Sequence, residues 1–237
     1  MITLAIDSTA NTATCALTKD GRMLALSTVC GLLTHSETLL PMIESMLEKT
    51  GITLVDVELF AASEGPGSFT GVRIGVSLIK GLAFGAGKPC VGVSTLEALA
   101  HNLDGMDVLA VPVMDARRSQ VYTAAFCHGR HMEDSLILLS ELRQRLIALA
   151  PDRPICFVGD GYDLARRYFN ENPIPGATIL DTPPLLIPQN ALSVALLAER
   201  TYADAPDKTV FTDRTLSPRY LRASQAERER AEKLAKQ

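Results

Sequence analysis

The sequence predicts an α/β protein built from two related lobes, each a mixed sheet flanked by helices. The first observation is a repeat. An apolar strand ends at Asp7 and another ends at Asp115, and each is followed by a second strand, a Gly-Arg turn and a further strand. The two aspartates are 108 residues apart, and so are the turn residues Gly21 and Gly129. The second observation is that strand-like and helix-like runs alternate along both copies. Internal repetition of this kind predicts a duplicated fold.

Apolar and β-branched runs predict the strands, and apolar residues at helical spacing predict the helices. The predicted strands lie at 2–7, 12–18, 23–29, 57–62, 91–93, 108–114, 121–127 and 155–158. The predicted helices lie at about 36–50, 72–85, 95–102, 140–149, 161–170 and 190–203. Turn residues near 102–105 mark the boundary between the lobes. The predicted domains are therefore a first lobe at 1–105, a second lobe at 106–223 and a charged helical or frayed tail at 224–237.

Two helices have apolar surfaces that a partner could cover. The helix at 36–50 has a single apolar stripe, whereas the helix at 72–85 is apolar nearly all round and includes several glycines. A helix of the second kind is either an internal core helix or part of a subunit interface. The interface interpretation predicts that the partner surface consists of Leu39, Ile43, Met46, Leu47, Arg73, Ile74, Ser77, Leu78 and Leu82.

A glycine-rich turn at 65–71 connects a predicted strand to the helix at 72–85. Such a turn either cradles an anion at the helix N-terminus or seats the helix tightly on the sheet. It is not a Walker loop, because no Gly-Lys-Ser/Thr follows. The two strand-end aspartates are open to the same pair of interpretations, nucleotide binding or a structural role. The anion interpretation predicts nucleotide- or phosphate-facing loops that contain Asp7, Ser8, Gly65, Gly67, Ser68 and Asp115.

Composition excludes several classes of protein. A net charge of −4 and a pI of about 5.6 argue against a protein that grips nucleic acid with its whole surface. The five cysteines are scattered without a Cys-x-x-Cys pair, which predicts neither a zinc site nor a disulfide framework and fits a reducing compartment. The first residues do not resemble a signal peptide, and no uncharged apolar run reaches the length of a membrane span, so no membrane segment is expected.

Five segments together resemble the TsaB family, also called YeaZ. They are the opening Ile-Asp-Ser-Thr and the segments at 34–41, 64–75, 115–118 and 218–222. The segment Gly-Pro-Gly-Ser-Phe-Thr-Gly-x-Arg is the most specific of these, and the resemblance spans essentially the whole chain. It implies the duplicated fold of actin, Hsp70 and the sugar kinases, abbreviated ASKHA. It also implies a role in making threonylcarbamoyladenosine at position 37 of tRNAs that read codons beginning with A.

The catalytic branch of this superfamily, TsaD, has a His-x-x-x-His pair that binds a metal. The matching segment here has His35, but Leu39 stands at the position of the second histidine. A single imidazole is a poor site for a divalent metal. The resemblance therefore implies a non-catalytic subunit with no catalytic or metal-binding residues of its own. It also implies no tightly bound cofactor, with ATP or ADP entering only at the level of a complex.

The resemblance further implies a cytoplasmic protein that binds and activates TsaD and is joined by TsaE, a small ATPase. In this interpretation tRNA is contacted only through the complex, and no membrane is involved. In the absence of TsaD, the same apolar helices are expected to pair with themselves as a homodimer. Two alternatives remain at this stage: a stand-alone ATP-dependent phosphotransferase of the same superfold, and a metalloprotease. ATP turnover and metal content of the isolated chain distinguish them.

Overall fold

Two five-stranded mixed sheets with the same strand order form the framework of the protein. The computed structural model describes residues 1–31 and 34–222, so the predicted tail at 224–237 lies outside the described residues. The first sheet has the order β3-β2-β1-β4-β5 and comprises β1 (Ile2–Asp7), β2 (Thr12–Lys19), β3 (Arg22–Cys30), β4 (Leu59–Gly65) and β5 (Cys90–Ser94). The second has the order β8-β7-β6-β9-β10 and comprises β6 (Leu109–Asp115), β7 (Gln120–Phe126), β8 (Arg130–Leu138), β9 (Ile155–Val158) and β10 (Ile179–Leu180).

The predicted duplication is confirmed by the pairing of the strands. The central strands β1 and β6 each pair antiparallel with the next strand of their hairpin and parallel with β4 or β9. In the described residues, six α-helices accompany the sheets: α1 (His35–Thr50), α2 (Phe69–Ala86), α3 (Thr95–His101), α4 (Leu139–Leu149), α5 (Tyr162–Glu171) and α6 (Ala191–Asp204). Each repeat thus contains three antiparallel strands, a helix, a strand, a helix, a strand and a final helix.

The predicted strand positions give no bounds for β8 or β10, although the repeat predicts a further strand after the turn at Gly129. β8 carries Arg130, Glu133 and Asp134, and charged residues are depleted in strands. It is an edge strand, where charged residues are tolerated and block unwanted pairing with other chains. β10 contains only two residues, too few for an alternating pattern to be recognised.

The last helix of each repeat covers the sheet of the other repeat. α3 packs against β6 and β7, and its Leu96 and Leu99 are buried in a cluster with residues of the second sheet. α6 packs against β1, β2 and β5, and its Val194 and Leu197 are buried against the first sheet. The predicted boundary at residue 105 separates the two sheets, but α6 belongs with the first of them. The lobes are therefore not two consecutive segments, because they exchange their final helices.

Asn102, at the end of α3, links the two exchanged helices by hydrogen bonds. Its Nδ2 donates to the carbonyl oxygens of Leu186 at 3.0 Å and Pro188 at 2.9 Å, in the segment that leads into α6. Its Oδ1 accepts a hydrogen bond from the hydroxyl of Ser193 on α6 at 2.7 Å. Both polar atoms of this partly buried amide thus join the two exchanged helices.

The glycines of α2 fall into two groups. A Cβ on Gly71 would lie 2.0 Å from the carbonyl oxygen of Ser8, and a Cβ on Gly75 would lie 2.4 Å from the Ser8 hydroxyl. A Cβ on Gly81 or Gly85 would meet no atom of the described residues within 4 Å. The first pair therefore lets α2 approach the β1–β2 loop closely, whereas the second pair faces open space.

We expect alanine substitution to separate these groups. Gly71→Ala places a methyl group against a backbone carbonyl and should lower the free energy of unfolding by about 1–3 kcal/mol. Gly81→Ala should raise it by up to about 1 kcal/mol, because the methyl group is unhindered and alanine favours the helix. Urea denaturation of both variants measures the difference. Equal losses in the two variants would contradict the assignment of Gly81 to an open face.

Candidate functional site

A cleft of about 380 Å³ lies between the loops that follow the two central strands. Its walls come from both lobes and consist of Thr9, Ala10, Asn11, His35, Gly67, Ser68, Met114, Asp115, Ala116, Arg117, Tyr122 and Asp160. Of the six residues predicted to face a nucleotide or phosphate, Gly67, Ser68 and Asp115 line this cleft. The other three, Asp7, Ser8 and Gly65, are turned away from it.

Asp7 is a structural residue of the first lobe. Its side chain is buried, and Oδ1 accepts hydrogen bonds from the Thr9 amide at 2.8 Å and the Thr9 hydroxyl at 2.7 Å. Oδ2 accepts a hydrogen bond from Ser63 on β4. Burial raises the pKa of the Asp7 carboxyl above its usual value, although these hydrogen bonds oppose the shift. Since both oxygens are occupied, Asp7 ties β1 to β4, and the prediction that it faces a ligand needs correction.

The glycine-rich turn seats α2 on the sheet. Ser8 is buried and its hydroxyl donates to the Gly71 carbonyl at 2.8 Å. The Ser68 amide donates to the Thr9 carbonyl at 2.7 Å, and a Cβ on Gly67 would lie 2.5 Å from that same oxygen. The Ser68 hydroxyl accepts a hydrogen bond from the Gly71 amide and so caps the helix. The turn therefore serves mainly to pack two loops together, which favours the second interpretation given above.

Gly65 is also required by close packing. A Cβ at this position would lie 2.3 Å from the carbonyl oxygen of Arg219, in the segment that follows α6 near the end of the described chain. The Arg219 amide donates to the carbonyl of the neighbouring Glu64 at 2.6 Å. Gly65 therefore contacts the C-terminal segment and not the cleft, so its predicted role as a phosphate-facing residue is corrected.

Two carboxylates of the second lobe give the cleft its charge. Asp115, at the end of β6, is exposed, and its Oδ1 accepts a hydrogen bond from the Arg117 amide at 2.7 Å. Asp160 follows β9 and opens into the cleft. Desolvation by the surrounding protein and the negative charge of Asp115 raise the pKa of the Asp160 carboxyl to about 6. Carboxylates repel a phosphate that brings no cation. Arg117 also lines the cleft and pairs with Asp115 at 3.9 Å, so one negative charge remains in excess and disfavours a bare phosphate.

Asp160 was not among the predicted site residues. The sequence contained a signal for it, since the pair Asp160-Gly161 follows β9 as Glu64-Gly65 closes β4. Equivalent loops of a duplicated fold approach the same cleft, so the repeat identifies this position.

The β6–β7 turn borders the cleft and has an unusual backbone. Arg117, Arg118 and Ser119 have φ angles of 64°, 56° and 59°, which place three consecutive non-glycine residues in the left-handed region. Each such residue costs roughly 1–2 kcal/mol relative to the right-handed conformation. Arg222 stabilises the turn by donating to the Ala116 carbonyl at 2.9 Å and to the side chain of Gln120.

The metal pair of the catalytic branch does not fit this chain. Leu39, at the position of the second histidine, belongs to α1, and its side chain is fully buried in the core of the first lobe. The Nε2 atom of His35 lies 2.6 Å from the Ala10 carbonyl, so this nitrogen carries the proton and donates. In residues 1–31 and 34–222, no group of three or more His, Cys, Asp or Glu side chains is placed to hold a metal ion.

The predicted partner surface divides into buried and open residues. Leu39, Ile43 and Met46 are buried in the core of the first lobe, so these three cannot contact a partner and their assignment is corrected. Their apolar stripe faces the chain's own sheet, and Leu47 is partly buried beside it. On α2, Arg73 and Ser77 are exposed, and three apolar neighbours are half-buried, namely Ile74, Leu78 and Leu82.

α2 keeps an open face in this structure. Its buried side packs on the first sheet beside α1, but only six of its 18 residues are buried within the chain. Phe84 is 75% exposed, and a groove of about 640 Å³ passes Ile74 where α1 and α2 begin. Among the described helices, α2 alone has the length and apolar composition of a membrane-crossing segment, a composition shared by helices that cover a sheet. It is therefore not an internal core helix.

Comparisons with known proteins assign the chain to a family. The TsaD family, described as tRNA N6-adenosine threonylcarbamoyltransferase, matches residues 33–137. The tRNA threonylcarbamoyladenosine biosynthesis protein TsaB of Bacillus subtilis is 33% identical over 176 residues, which cover 72% of this chain and 76% of that protein. The chain belongs to the TsaB family. Similarity to a TsaD family on part of the chain agrees with TsaB and TsaD being paralogues.

Solved structures agree with the family and with the predicted fold. YeaZ from Pseudomonas aeruginosa superimposes with a TM-score of 0.75 at 25% identity, covering 93% of this chain and 99% of that one. An activator of 2-hydroxyisocaproyl-CoA dehydratase from Clostridium difficile, solved with bound ADPNP, has a TM-score of 0.52 at 11% identity and covers 87% of this chain and 99% of that one. The latter shows the shared fold alone. The ASKHA fold predicted for this TsaB-family chain is confirmed.

We predict that Asp160→Asn changes how stability depends on pH. The folded protein holds a proton on Asp160 up to about pH 6, whereas the unfolded chain releases it near pH 3.8, so the wild-type protein loses stability as pH rises through this interval. The variant should lose less, and it should gain stability relative to wild type above the interval. Urea midpoints below and above the interval measure this. Asp204→Asn, an exposed substitution at the end of α6, is the control; equal slopes in all three proteins would contradict the assignment.

Proposed function

We propose that this TsaB-family chain is a non-catalytic subunit in the biosynthesis of threonylcarbamoyladenosine at position 37 of tRNAs that read codons beginning with A. Its role would be to bind a TsaD-type threonylcarbamoyltransferase and hold it in an active conformation. The observation that carries the proposal is the open apolar face of α2 on a chain whose relatives are named for this pathway.

The shape of α2 suits a helical partner. Its exposed residues include Ser77, Gly81 and Gly85, which are small and allow another backbone to approach closely. Ile74, Leu78 and Leu82 lie beside them and leave part of their apolar surface in water. Burying half-exposed apolar side chains contributes about 25 cal/mol per Å² of apolar surface. A paralogue of the same fold would present equivalent helices to this face.

A non-catalytic role fits the chemistry of the cleft. The position of the second metal-binding histidine of TsaD is occupied by Leu39, which is needed in the core. The open carboxylates Asp115 and Asp160 are not accompanied by a nucleophile held against a general base among the described residues. The transfer chemistry would therefore take place on the partner, and this chain would act through the shape of the complex.

Several further assignments follow from the family and belong to the same proposal. The ATPase TsaE would join the pair and supply ATP turnover, so nucleotide would act only in the complex. tRNA would be bound by the complex and not by this acidic chain alone. In the absence of TsaD, the α2 faces of two copies would pair as a homodimer. All of these steps would take place in the cytoplasm.

Reconstitution tests the proposal directly. Threonylcarbamoyladenosine formation on tRNA is measured in a mixture of TsaD, TsaE and the enzyme that supplies threonylcarbamoyl-adenylate, with and without this chain. We expect product only when the chain is present, and no ATP turnover by the chain alone. Equal product without the chain would overturn the proposal. ATP-dependent phosphorylation of an acceptor by the isolated chain would instead support the phosphotransferase alternative.

A charged residue on the open face of α2 should abolish pairing. Leu78→Glu places a carboxylate in the proposed apolar contact, and desolvating it should weaken binding to TsaD by at least about 100-fold, or roughly 3 kcal/mol. The fold should persist, because Leu78 is only half-buried. Titration calorimetry measures the affinity. Leu185→Glu changes an 89% exposed leucine elsewhere and is the matched control. Full affinity in Leu78→Glu would place the interface away from α2.

A further inference from the structure

The segment at 218–222, which we call the strap, joins parts of the molecule that are distant in sequence. It has no helix or strand of its own and runs between the start of α2 and the second lobe. Just before it, Leu216 is buried in the core of the first lobe, and its carbonyl accepts a hydrogen bond from Lys80 of α2 at 3.1 Å. The strap therefore leaves the first lobe from a fixed point.

Arg219 anchors the strap at its centre. Its guanidinium lies 3.2 Å from Asp134, a carboxylate on β8 whose side chain is only 1% exposed. Asp134 also accepts hydrogen bonds from Arg130 and, at 3.2 Å, from Ser94 at the end of β5. The Arg219 backbone is held as well, since its amide donates to the Glu64 carbonyl at 2.6 Å. Arg219 therefore connects the strap to β4 of the first lobe and to β8 of the second.

One end of the strap reaches the exposed start of α2. The ring of Tyr220 stacks on Phe69 with the centroids 4.8 Å apart, and its hydroxyl accepts a hydrogen bond from Arg73 Nε at 2.8 Å. The Arg73 guanidinium lies 3.8 Å from the centre of the Phe69 ring. These side chains form a small aromatic and cationic cluster at the edge of the α2 face proposed to bind a partner. A partner that covers α2 would contact this cluster.

The other end of the strap holds the β6–β7 turn. Arg222 donates to the Ala116 carbonyl at 2.9 Å and to the Gln120 side chain, and so spans the turn with its left-handed residues. Tyr220 and Arg222 are two residues apart, at most about 7 Å along an extended chain. A displacement of Tyr220 has this short distance over which to reach Arg222.

We propose that the strap couples the α2 face to the cleft, so that binding of a partner at α2 fixes the conformation of the β6–β7 turn. This inference rests on the proposed function, because it assigns a consequence to the same partner contact. Asp115 and Arg117, which line the cleft, belong to the turn that responds. Binding of a partner at the α2 face would thus order the β6–β7 turn at the cleft. The strap would transmit the effect through its hydrogen bonds at both ends.

Hydrogen exchange of the full chain, with and without TsaD, tests the coupling. In the wild-type protein, TsaD should slow exchange both in α2 and in the turn amides of Ala116, Arg117 and Gln120, all of which are hydrogen-bonded. In Arg222→Ala, TsaD should still protect α2 but should no longer protect the turn. Without TsaD, the turn in this variant should exchange about tenfold faster than in wild type. Gln120→Ala removes an acceptor from the opposite side and should act in the same direction.

The matched control is Arg214→Ala, because Arg214 is exposed, lies shortly before the strap and makes no ion pair among the described residues. It should behave as wild type. Equal protection of the turn in wild type and Arg222→Ala would overturn the coupling, as would protection of α2 without any effect on the turn. If TsaD protects neither region of the wild-type protein, the proposed partner role itself fails. The two failures are therefore distinguishable.

A second hydrogen-exchange experiment tests the coupling in the absence of TsaD. Arg73→Ala removes the guanidinium that joins Phe69 to Tyr220, at the α2 end of the strap. If the strap transmits this loss, exchange in the β6–β7 turn should become about 2- to 30-fold faster. Thermal unfolding of the variant confirms that the fold is retained. Unchanged exchange in the turn, with faster exchange only near α2, would overturn the coupling.

Discussion

The exchange of α3 and α6 between the two sheets is the contact on which the rest of the molecule depends. A sheet with apolar residues on both faces must be covered on both faces. On the first sheet, α1 and α2 cover one face, and α6 provides most of the cover on the other, with Ala98 of α3 beside it. α3 does the same for the second sheet. Separating the lobes would expose the inner faces of both sheets to water. The buried contacts of the exchanged helices therefore fix the position of one cleft wall relative to the other.

Within this frame the two copies of the repeat have diverged in chemistry while keeping their backbone. In the first copy the strand-end aspartate, Asp7, is buried and bonded to Thr9 and Ser63. In the second copy the equivalent Asp115 stays open to the cleft beside Asp160. The carboxylate at the end of β1 is thus part of the internal hydrogen-bond network, whereas the carboxylate at the end of β6 is exposed in the cleft. Duplication followed by loss of symmetry explains why equivalent positions have different roles.

The sequence predicted the parts of the fold that local patterns determine. The repeat and the alternation of strands and helices predicted both sheets and the six helices of the described residues. The glycine-rich turn left open a tight seat for α2, and Gly71 provides it against the β1–β2 loop. The repeat predicted a strand after Gly129 but not its bounds, because the charged residues of β8 hide the alternating pattern and its pairing with β7 defines the strand. The exchange of α6 was not predictable, because no local pattern says which sheet a helix will cover.

The site was predicted less well than the fold, for a physical reason. Residue type and spacing pointed to Asp7, Ser8 and Gly65, but hydrogen bonds and contacts with Ser63, Gly71 and the Arg219 carbonyl occupy them, and these partners are distant in sequence. For the same reason the apolar stripe of α1 was assigned to a partner although it faces the chain's own sheet. Helical periodicity shows that a face is apolar, but it does not say what covers that face.

The position of α6 in the sequence has a consequence for synthesis of the protein. The first sheet is complete once β5 has been made, yet most of its inner face, with Ala5, Ala61 and Val91, lacks its cover until residues 191–204 leave the ribosome. Contacts between segments so far apart form slowly, and exposed apolar sheet surface promotes aggregation in the meantime. A nascent or prematurely terminated chain would be a natural client for chaperones, and expression of the first half alone should yield insoluble material.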